Sequence, residues 1–372
     1  MFRRAWIRRV TFLWLLTAVA HPIYYALYIV PLPPAQQIDE PSFAACLLIK
    51  DDNDLLPEWL AYHYTVLPLR HVVIAVDPHS VQDPAPILQR WQPYLRYTIW
   101  QNGDDSLRQN ENKQEQQHHH HHHHALVQRQ KEFIKKCSEY LKHEGAQWTA
   151  FIDTDEYVIP NRLNLHNDEQ LVIDGHGPHA IQNISWHIRQ HLPPMGDATT
   201  VAEILTKLQF AGLVGSCYTL PRLLVGALEN RTCHHASRNT FPPLSTLRFF
   251  QHAVKGDFRL NKFGKVWMDL SQISSQTIQS TVPRNIHRPY KDNCGPGAVH
   301  FPDAFFYINH YLGSWERYSA RSDPRRNREE WEKRAFVDDG SPTCESGVYE
   351  WLPRFVEQVG GEARARYLLE GT

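Results

Sequence analysis

Two apolar runs joined by a helical segment constrain the fold most strongly. Residues 43–50, FAACLLIK, form a continuous apolar run typical of a strand buried on both faces. LLPEWLAYHYTVL follows with helical spacing; Asp54 can cap this helix, and Pro57 is tolerated in its first turn. HVVIAVD then predicts a second strand. Strand, helix and strand with short connections make a βαβ unit, so we predict an α/β fold on a mostly parallel sheet flanked by helices.

The alternation of strands and helices continues to residue 160. YTIW (97–100) predicts a third strand, ALVQRQKEFIKKCSEYLKHEGAQ an amphipathic helix, and WTAFIDTDEYVIP the next strand. Residues 101–124 between them are rich in Gln and His and end in seven histidines, His118–His124. We interpret this segment as a low-complexity solvated loop; a metal-binding tract is the alternative.

The N-terminal segment predicts a membrane anchor. Residues 10–30 contain no Asp, Glu, Lys or Arg and are long enough to span a bilayer as a helix. Arginines in residues 1–9 predict a cytoplasmic tail, and the Pro-rich residues 31–42 a stem. This arrangement predicts a single-pass type II protein whose lumenal domain spans 43–372. The alternatives are a signal peptide cleaved near Ala18-Val19-Ala20 and a buried N-terminal helix.

Cysteines, glycosylation sequons and charge agree with a secretory location. Six cysteines allow fifteen pairings; none is assigned firmly, although Cys217 and Cys233 could close a modest loop. Sequons occur at Asn183 and Asn230. The net charge is -1, so no global basic field points to nucleic acid as a partner. The sequence makes no prediction of oligomeric state.

The stretch FIDTDEYVIP contains the residues from which we predict a metal site. It places Asp153, Asp155 and Glu156 where an apolar strand ends, which is the edge where parallel α/β sheets bind ligands. Two carboxylates on one short loop suit a hard cation such as Mg²⁺ or Mn²⁺ better than the separated acids of a glycosidase. A solvated acidic loop is the alternative. By strand alternation Glu156 points away from the aspartates, so it could fix the loop or a basic neighbour instead.

These residues resemble the D-x-D segment of GT-A glycosyltransferases, and more narrowly glycosyltransferase family 92. The similar segments span residues 45 to 320: IKDDNDLLPEWLAYHYTVLPLRHVVIAVD, FIDTDEYV, KFGKVWMDLSQI with IHRP, and INHYLGSWERY. The resemblance implies one Rossmann-like GT-A domain in a membrane-anchored Golgi enzyme. It also implies metal-assisted, inverting transfer from a nucleotide sugar, a UDP-sugar such as UDP-galactose, to a glycan acceptor.

The resemblance also implies a metal site. Asp153 and Asp155 would hold Mn²⁺, or Mg²⁺, against the diphosphate of the donor. A late histidine often completes such a site; His310 is our candidate and His300 the second choice.

The donor nucleotide would lie at the end of the first strand. Asp51, Asp52 and Asn53 would contact the uridine and ribose in this fold. Lys265 could neutralise the diphosphate as a point charge, and Arg222 or Arg248 could do so equally well.

Inverting transfer needs a base, which the sequence does not single out. Asp269 and Glu229 are candidates, although a structural hydrogen-bonding role is the stronger expectation for each alone. Two other functions stay open: a metal-dependent hydrolase and a non-catalytic lumenal carbohydrate-binding protein.

Overall fold

The computed structural model describes residues 43–100, 120–161, 214–227, 244–249, 264–281, 304–320, 327–335 and 350–371, with a few single positions between them. The predicted tail, anchor and stem (1–42) and most of the low-complexity segment lie outside these residues. Among the helices that are described, none combines the length and the apolar character needed to cross a bilayer.

In the described part of the chain the central sheet has six strands: β1 (Phe43–Ile49), β2 (Leu69–Val76), β3 (Arg96–Trp100), β4 (Trp148–Phe151), β6 (Cys217–Leu220) and β8 (Lys265–Asp269). Their order across the sheet is β3-β2-β1-β4-β8-β6. The four strands from β3 to β4 pair in parallel, while β8 runs antiparallel to both β4 and β6. The prediction of a mixed α/β fold with a mostly parallel sheet is therefore confirmed.

A second sheet has the order β5-β9-β7. β9 (Phe306–Tyr311) lies between β5 (Glu156–Pro160), which is antiparallel to it, and β7 (Arg222–Val225), which is parallel. β4 and β5 are separated by only four residues, so the two sheets meet at the acidic cluster. The sequence prediction of one strand across WTAFIDTDEYVIP was wrong at this point, because the chain turns at residues 153–156 and changes sheet.

Helices cover both faces of the central sheet. Alternate β1 residues pack on opposite sides, with Ala45 and Leu47 in the core beneath Trp59 of α1, and Ala44 and Cys46 in a second core beneath α3. The helices are α1 (Leu56–Val66), α2 (Ala85–Trp91), α3 (His120–His143), α4 (Ser245–Arg248), α5 (Ser275–Ser280), α6 (Trp315–Ala320), α7 (Arg328–Ala335), α8 (Trp351–Gln358) and α9 (Glu362–Glu370).

Two local predictions about helix starts were wrong. Asp54 does not cap α1, whose N-cap is Leu55 without a side-chain hydrogen bond; Asp54 instead pairs with Arg317. α3 begins at His120, inside the segment predicted as loop up to residue 124.

A disulfide joins β1 to the helix above it. Cys46 pairs with Cys137 of α3, whose Cα atoms are 6.1 Å apart, across 91 residues of sequence. Cys217 is also disulfide-bonded. The suggested partner Cys233 lies outside the described residues, so that pairing stays a prediction. Disulfides agree with the oxidising compartment expected from the sequence.

Candidate functional site

The acidic cluster is a tight turn between the two sheets. The Glu156 amide donates to the Asp153 carbonyl at 3.1 Å, and the Asp153 amide donates to Glu156 Oε2 at 2.9 Å. The Tyr311 amide of β9 donates to the Asp155 carbonyl at 2.8 Å. These three bonds fix the backbone of the turn, so the position of Asp155 is set by both sheets.

Glu156 is buried beneath the turn between two cations. Arg222 Nη1 lies 2.9 Å from its Oε1, and Lys265 Nζ lies 3.2 Å from its Oε2. Burial alone would raise the pKa of Glu156, but the charges of Lys265 and Arg222 outweigh burial and lower the pKa to about 2. The hypothesis that Glu156 fixes the loop and a basic neighbour is therefore confirmed, although a turn rather than strand alternation turns it inward.

Lys265 reaches the cluster because β8 is antiparallel to β4. It begins β8 next to Val266, the partner of Phe151, so it lies at the edge where β4 ends. Its Nζ lies 2.7 Å from Asp153 Oδ2. Burial lowers the pKa of Lys265, but Asp153 and Glu156 outweigh burial and raise it above its ordinary value. The described contacts of Lys265 are carboxylates of the protein, and its contact with a diphosphate stays a prediction.

The side chain of Asp153 contacts both Lys265 and solvent. Its side chain is 53% exposed, although one oxygen contacts Lys265. Desolvation, together with the charges of Glu156 and Asp155, raises its pKa, while Lys265 opposes the rise. The ion pair with Lys265 and the exposure of the side chain to water favour the charged carboxylate, whereas desolvation and the neighbouring carboxylates favour the neutral form.

Asp155 lies beside His310, as the metal prediction requires. Asp155 Oδ1 is 3.6 Å from His310 Nε2, and β5 and β9 bring them together by pairing Glu156 with His310. Two donors that each lie about 2.1 Å from one cation can be at most about 4.2 Å apart, so this pair fits a shared ion.

The predicted ligand set is thus only partly assembled. Within the described part of the chain, no group of three or more His, Cys, Asp or Glu side chains is arranged to hold a metal ion. Asp155 and His310 are brought together, whereas Asp153 contacts Lys265. Divalent ions in nucleotide sites often have few protein ligands and take the rest from phosphates and water, so the pair still suits such an ion.

The residues predicted to contact the nucleotide connect the ends of β1 and β2. Asp51 Oδ1 accepts hydrogen bonds from the Val81 amide at 2.7 Å and the Gln82 amide at 3.1 Å. Asn53 Nδ2 donates to the Asp83 carbonyl at 2.8 Å, and buried Asp52 accepts from the Lys50 amide through Oδ2. Because β1 neighbours both β2 and β4, this loop lies at the same edge as the acidic turn. Its contacts order the edge, and a role in binding uridine or ribose stays a prediction.

Of the two candidate bases, Asp269 is described, and it lies away from this cluster. Asp269 ends β8 opposite Trp148, the first residue of β4, so it lies at the far edge of the sheet, about 13 Å along the strand from Lys265. Its carboxylate accepts from Ser271 and from Gln209 Nε2. These contacts agree with the structural hydrogen-bonding role that the sequence favours for Asp269, and a catalytic role stays a prediction that its distance from the acidic turn does not support. Glu229 lies outside the described residues, as does His300.

A cleft beside Asp155 contains residues that sequence reasoning missed. It is lined by Leu55, Asp155, Tyr157, Ser245, Tyr311, Leu312, Gly313, Arg317 and Tyr318. Arg317 Nε lies 2.8 Å from Asp54 Oδ2, and Arg317 also donates to Ser245. INHYLGSWERY contains Tyr311 and Arg317, so the segment was recognised while its cleft residues were not.

The wall of this cleft depends on a second buried glutamate. Glu58 of α1 accepts hydrogen bonds of 2.8 Å from the amides of Ser245 and Thr246 and from the Thr246 hydroxyl. Burial raises the pKa of Glu58 above its ordinary value, although these hydrogen bonds oppose the rise. Glu58 therefore holds the segment that presents Ser245 to the cleft.

Neither a scan against models of known protein families nor a search of curated proteins finds a match for this chain. The family resemblance noted in the sequence therefore stays an expectation.

Proposed function

We propose that this protein is a metal-dependent inverting glycosyltransferase of the GT-A type. It would transfer a sugar from a UDP-sugar donor, with UDP-galactose as one candidate, to a glycan acceptor. The observation that carries the proposal is the Asp155–His310 pair, 3.6 Å apart, at the edge where the parallel strands end. That edge is the usual ligand site of parallel α/β sheets.

The residues of the cluster have separate tasks in this proposal. Asp155 and His310 would hold Mn²⁺ or Mg²⁺, and Asp153 would face the same ligand from beside Lys265. The bound ion would supply Lewis acidity that stabilises the departing diphosphate. Glu156, Arg222 and Lys265 keep the turn in place; they act on the site through its backbone and through the Lys265–Asp153 contact.

The reaction in this proposal is a single displacement. The acceptor hydroxyl oxygen forms a bond to the anomeric carbon as the bond from that carbon to the diphosphate breaks. The proton of the acceptor hydroxyl passes to a base. Of the two candidates from the sequence, Glu229 is preferred for that role, because Asp269 lies away from the acidic turn.

A lumenal location completes the proposal. Residues 10–30 would anchor the chain in the Golgi membrane and place the described domain in the lumen. The disulfide between Cys46 and Cys137 supports an oxidising compartment.

Nucleotide binding tests the proposal directly. UDP with Mn²⁺ should raise the thermal stability of the purified lumenal domain, because a ligand that binds only the folded state stabilises it. UDP-galactose, UDP-glucose and UDP-N-acetylglucosamine should then be assayed with and without glycan acceptors. Release of free sugar at the same rate without an acceptor would favour the hydrolase. Glycan binding with no response to UDP and Mn²⁺ would favour the carbohydrate-binding protein.

A further inference from the structure

A second cavity lies next to the cleft beside Asp155, and it is large enough for a small-molecule ligand. Its volume is about 420 Å³, within the range of about 300–1,000 Å³ that is usual for such sites. It lies where the start of α1 and the end of α9 meet the residue before α4, and we refer to it as the α9 groove. The residues that line it include Asp54, Glu58, Leu244, Arg317, Leu369 and Glu370.

Arg317 connects the α9 groove to the candidate site. The same side chain lines both the groove and the cleft that contains Asp155. It is held there by Asp54, 2.8 Å away, and by its hydrogen bond to Ser245. A ligand in the groove would therefore lie next to Asp155, where the proposed metal would hold the donor.

The charges of the groove disfavour the diphosphate of a nucleotide. Its described lining contains three carboxyl groups, those of Asp54, Glu58 and Glu370, and one cation, Arg317. Arg317 is paired with Asp54, so its charge is already balanced within the protein. A diphosphate would approach these carboxyl groups without an unbalanced cation in the described lining, and the resulting repulsion is stronger beside protein than in water.

The same lining suits an uncharged ligand that is rich in hydroxyl groups. Glu370 is 25% exposed and uses Oε1 to pair with Arg366, which leaves further lone pairs on its carboxylate. Asp54 is 51% exposed and uses Oδ2 to pair with Arg317. Carboxylates of this kind accept strong hydrogen bonds from hydroxyl groups. Leu244 and Leu369 add apolar surface on which the C–H face of a sugar ring can pack.

We propose that the α9 groove binds the glycan acceptor, and that Glu370 and Asp54 accept hydrogen bonds from its hydroxyl groups. This inference rests on the proposed function and deepens it, because it places donor and acceptor in two neighbouring spaces. The donor lies at the ends of the parallel strands beside Asp155. The acceptor lies on the other side of Arg317 and directs one hydroxyl toward the anomeric carbon of the donor.

Two glutamates of α9 provide a matched pair of substitutions. Glu370 and Glu362 pair with the same Arg366, at 3.0 Å and 2.9 Å, and of the two Glu370 is the one that lines the groove. Glu370→Ala should weaken glycan binding by about 10-fold to 100-fold, because it removes hydrogen bonds to a charged group. Glu362→Ala should leave glycan binding unchanged.

The control variant also tests for a loss of stability. Glu362 lies in the first turn of α9, where a negative charge stabilises a helix, whereas Glu370 lies in the last turn. Glu362→Ala should therefore lower the thermal midpoint at least as much as Glu370→Ala. Weaker glycan binding by Glu370→Ala alone is then due to the groove and not to unfolding.

The measurement uses the full-length chain in a detergent without a sugar head group, since such a head group would compete for the groove. The probes are the methyl β-glycosides of galactose, glucose and N-acetylglucosamine, and methyl α-mannoside. Saturation-transfer NMR in the presence of UDP and diamagnetic Mg²⁺ gives their affinities, and calorimetry gives the affinity for UDP with Mn²⁺. At least one glycoside should bind the wild type, and both variants should bind UDP as the wild type does.

Three outcomes would overturn the inference. One is that none of the four glycosides binds the wild type. Another is a glycoside affinity that is unchanged in Glu370→Ala or reduced equally in both variants. The third is weaker binding of UDP by Glu370→Ala, which would assign the groove to the nucleotide.

Failure of the proposed function is seen separately, as a wild-type chain that does not bind UDP with Mn²⁺. In that event a glycoside that Glu370→Ala binds more weakly than Glu362→Ala would still support the groove as a glycan site. The absence of that difference would overturn it.

Discussion

Glu156 and Glu58 are both buried glutamates that hold one side of the candidate site, yet their surroundings differ in kind. Glu156 fixes the turn that presents Asp155, and its partners are the cations Arg222 and Lys265. Glu58 fixes the wall that presents Ser245, and its hydrogen-bond partners are uncharged backbone amides and a hydroxyl. The pKa of Glu156 is lowered to about 2, whereas that of Glu58 is raised.

The difference shows what sets the ionisation of a buried carboxyl group. Both side chains lose hydration, which favours the protonated form. Two nearby cations outweigh that loss at Glu156, while neutral donors at Glu58 do not. The turn that contains the predicted metal ligands is thus held by ion pairs, and the cleft wall that Glu58 fixes is held by hydrogen bonds.

Substitution of Asp155, which lies in the turn that Glu156 fixes, should have the largest effect. Under the proposed function, Asp155→Asn should lower the transfer rate by about 10³-fold, because the proposed metal would lose an anionic ligand and its Lewis acidity is worth several kcal/mol. The turn should keep its fold, since Tyr311 bonds to the Asp155 carbonyl, which Asn retains. Initial rates with UDP-sugar and Mn²⁺, together with thermal unfolding, measure both. Wild-type transfer by this variant would remove Asp155 from the metal site.

Removal of the charge of Glu156, which is buried beneath the turn, should have a smaller effect, on the free energy of unfolding. Glu156→Gln should lower the free energy of unfolding by about 3 kcal/mol, because Arg222 and Lys265 stay buried with one anion fewer. Urea denaturation measures the change. Glu332→Gln is the control: Glu332 forms an exposed pair with Arg328, so its loss should amount to less than about 1 kcal/mol. Equal losses in the two variants would mean that burial does not strengthen the pairing at Glu156.

The cleft wall that Glu58 holds should lose less stability when its glutamate is changed to glutamine. Glu58→Gln should lower the free energy of unfolding by about 1–2 kcal/mol, since the amide oxygen can still accept both hydrogen bonds from Thr246 while the one from the Ser245 amide is lost. Part of this loss is offset, because Gln carries no charge to desolvate. Urea denaturation in parallel with Glu156→Gln gives the comparison. A loss as large as that of Glu156→Gln would contradict the distinction between the two glutamates.

The smallest effect expected is a difference in pH dependence, with opposite signs. The pKa of Glu156 is depressed on folding, so its contribution is present above the unfolded value near 4.3 and is lost as the pH falls toward about 2. The pKa of Glu58 is raised on folding, so its contribution grows as the pH falls toward its unfolded value.

Urea denaturation at several pH values measures these trends. As the pH falls from 7 to 3.5, the stability gap between wild type and Glu156→Gln should narrow, and that for Glu58→Gln should widen. Each slope is at most about 1.4 kcal/mol per pH unit. Slopes of the same sign would contradict the assignment of ionisation states.

Sequence reasoning succeeded where the signal was local. The apolar runs at 43–50 and 71–77 with the helix between them gave the βαβ unit, because alternation and helical spacing are properties of neighbouring residues. The predicted strand that ends at the aspartates placed them at the edge where the parallel strands end. The sequence did not show which end of β8 lies at this edge: the strand runs antiparallel to β4, so Lys265 lies at this edge and Asp269 at the other.

The sequence by itself determined that a mostly parallel α/β sheet would present Asp153 and Asp155 at the edge where its parallel strands end. Only the tertiary structure decided which side chains meet them there. His310, Lys265, Arg222 and Arg317 come from distant segments, and sheet order and register bring them within hydrogen-bonding or ion-pair distance of the turn and its cleft. Local pattern reflects periodic burial along one element, whereas the partner of a buried charge depends on which elements pack together.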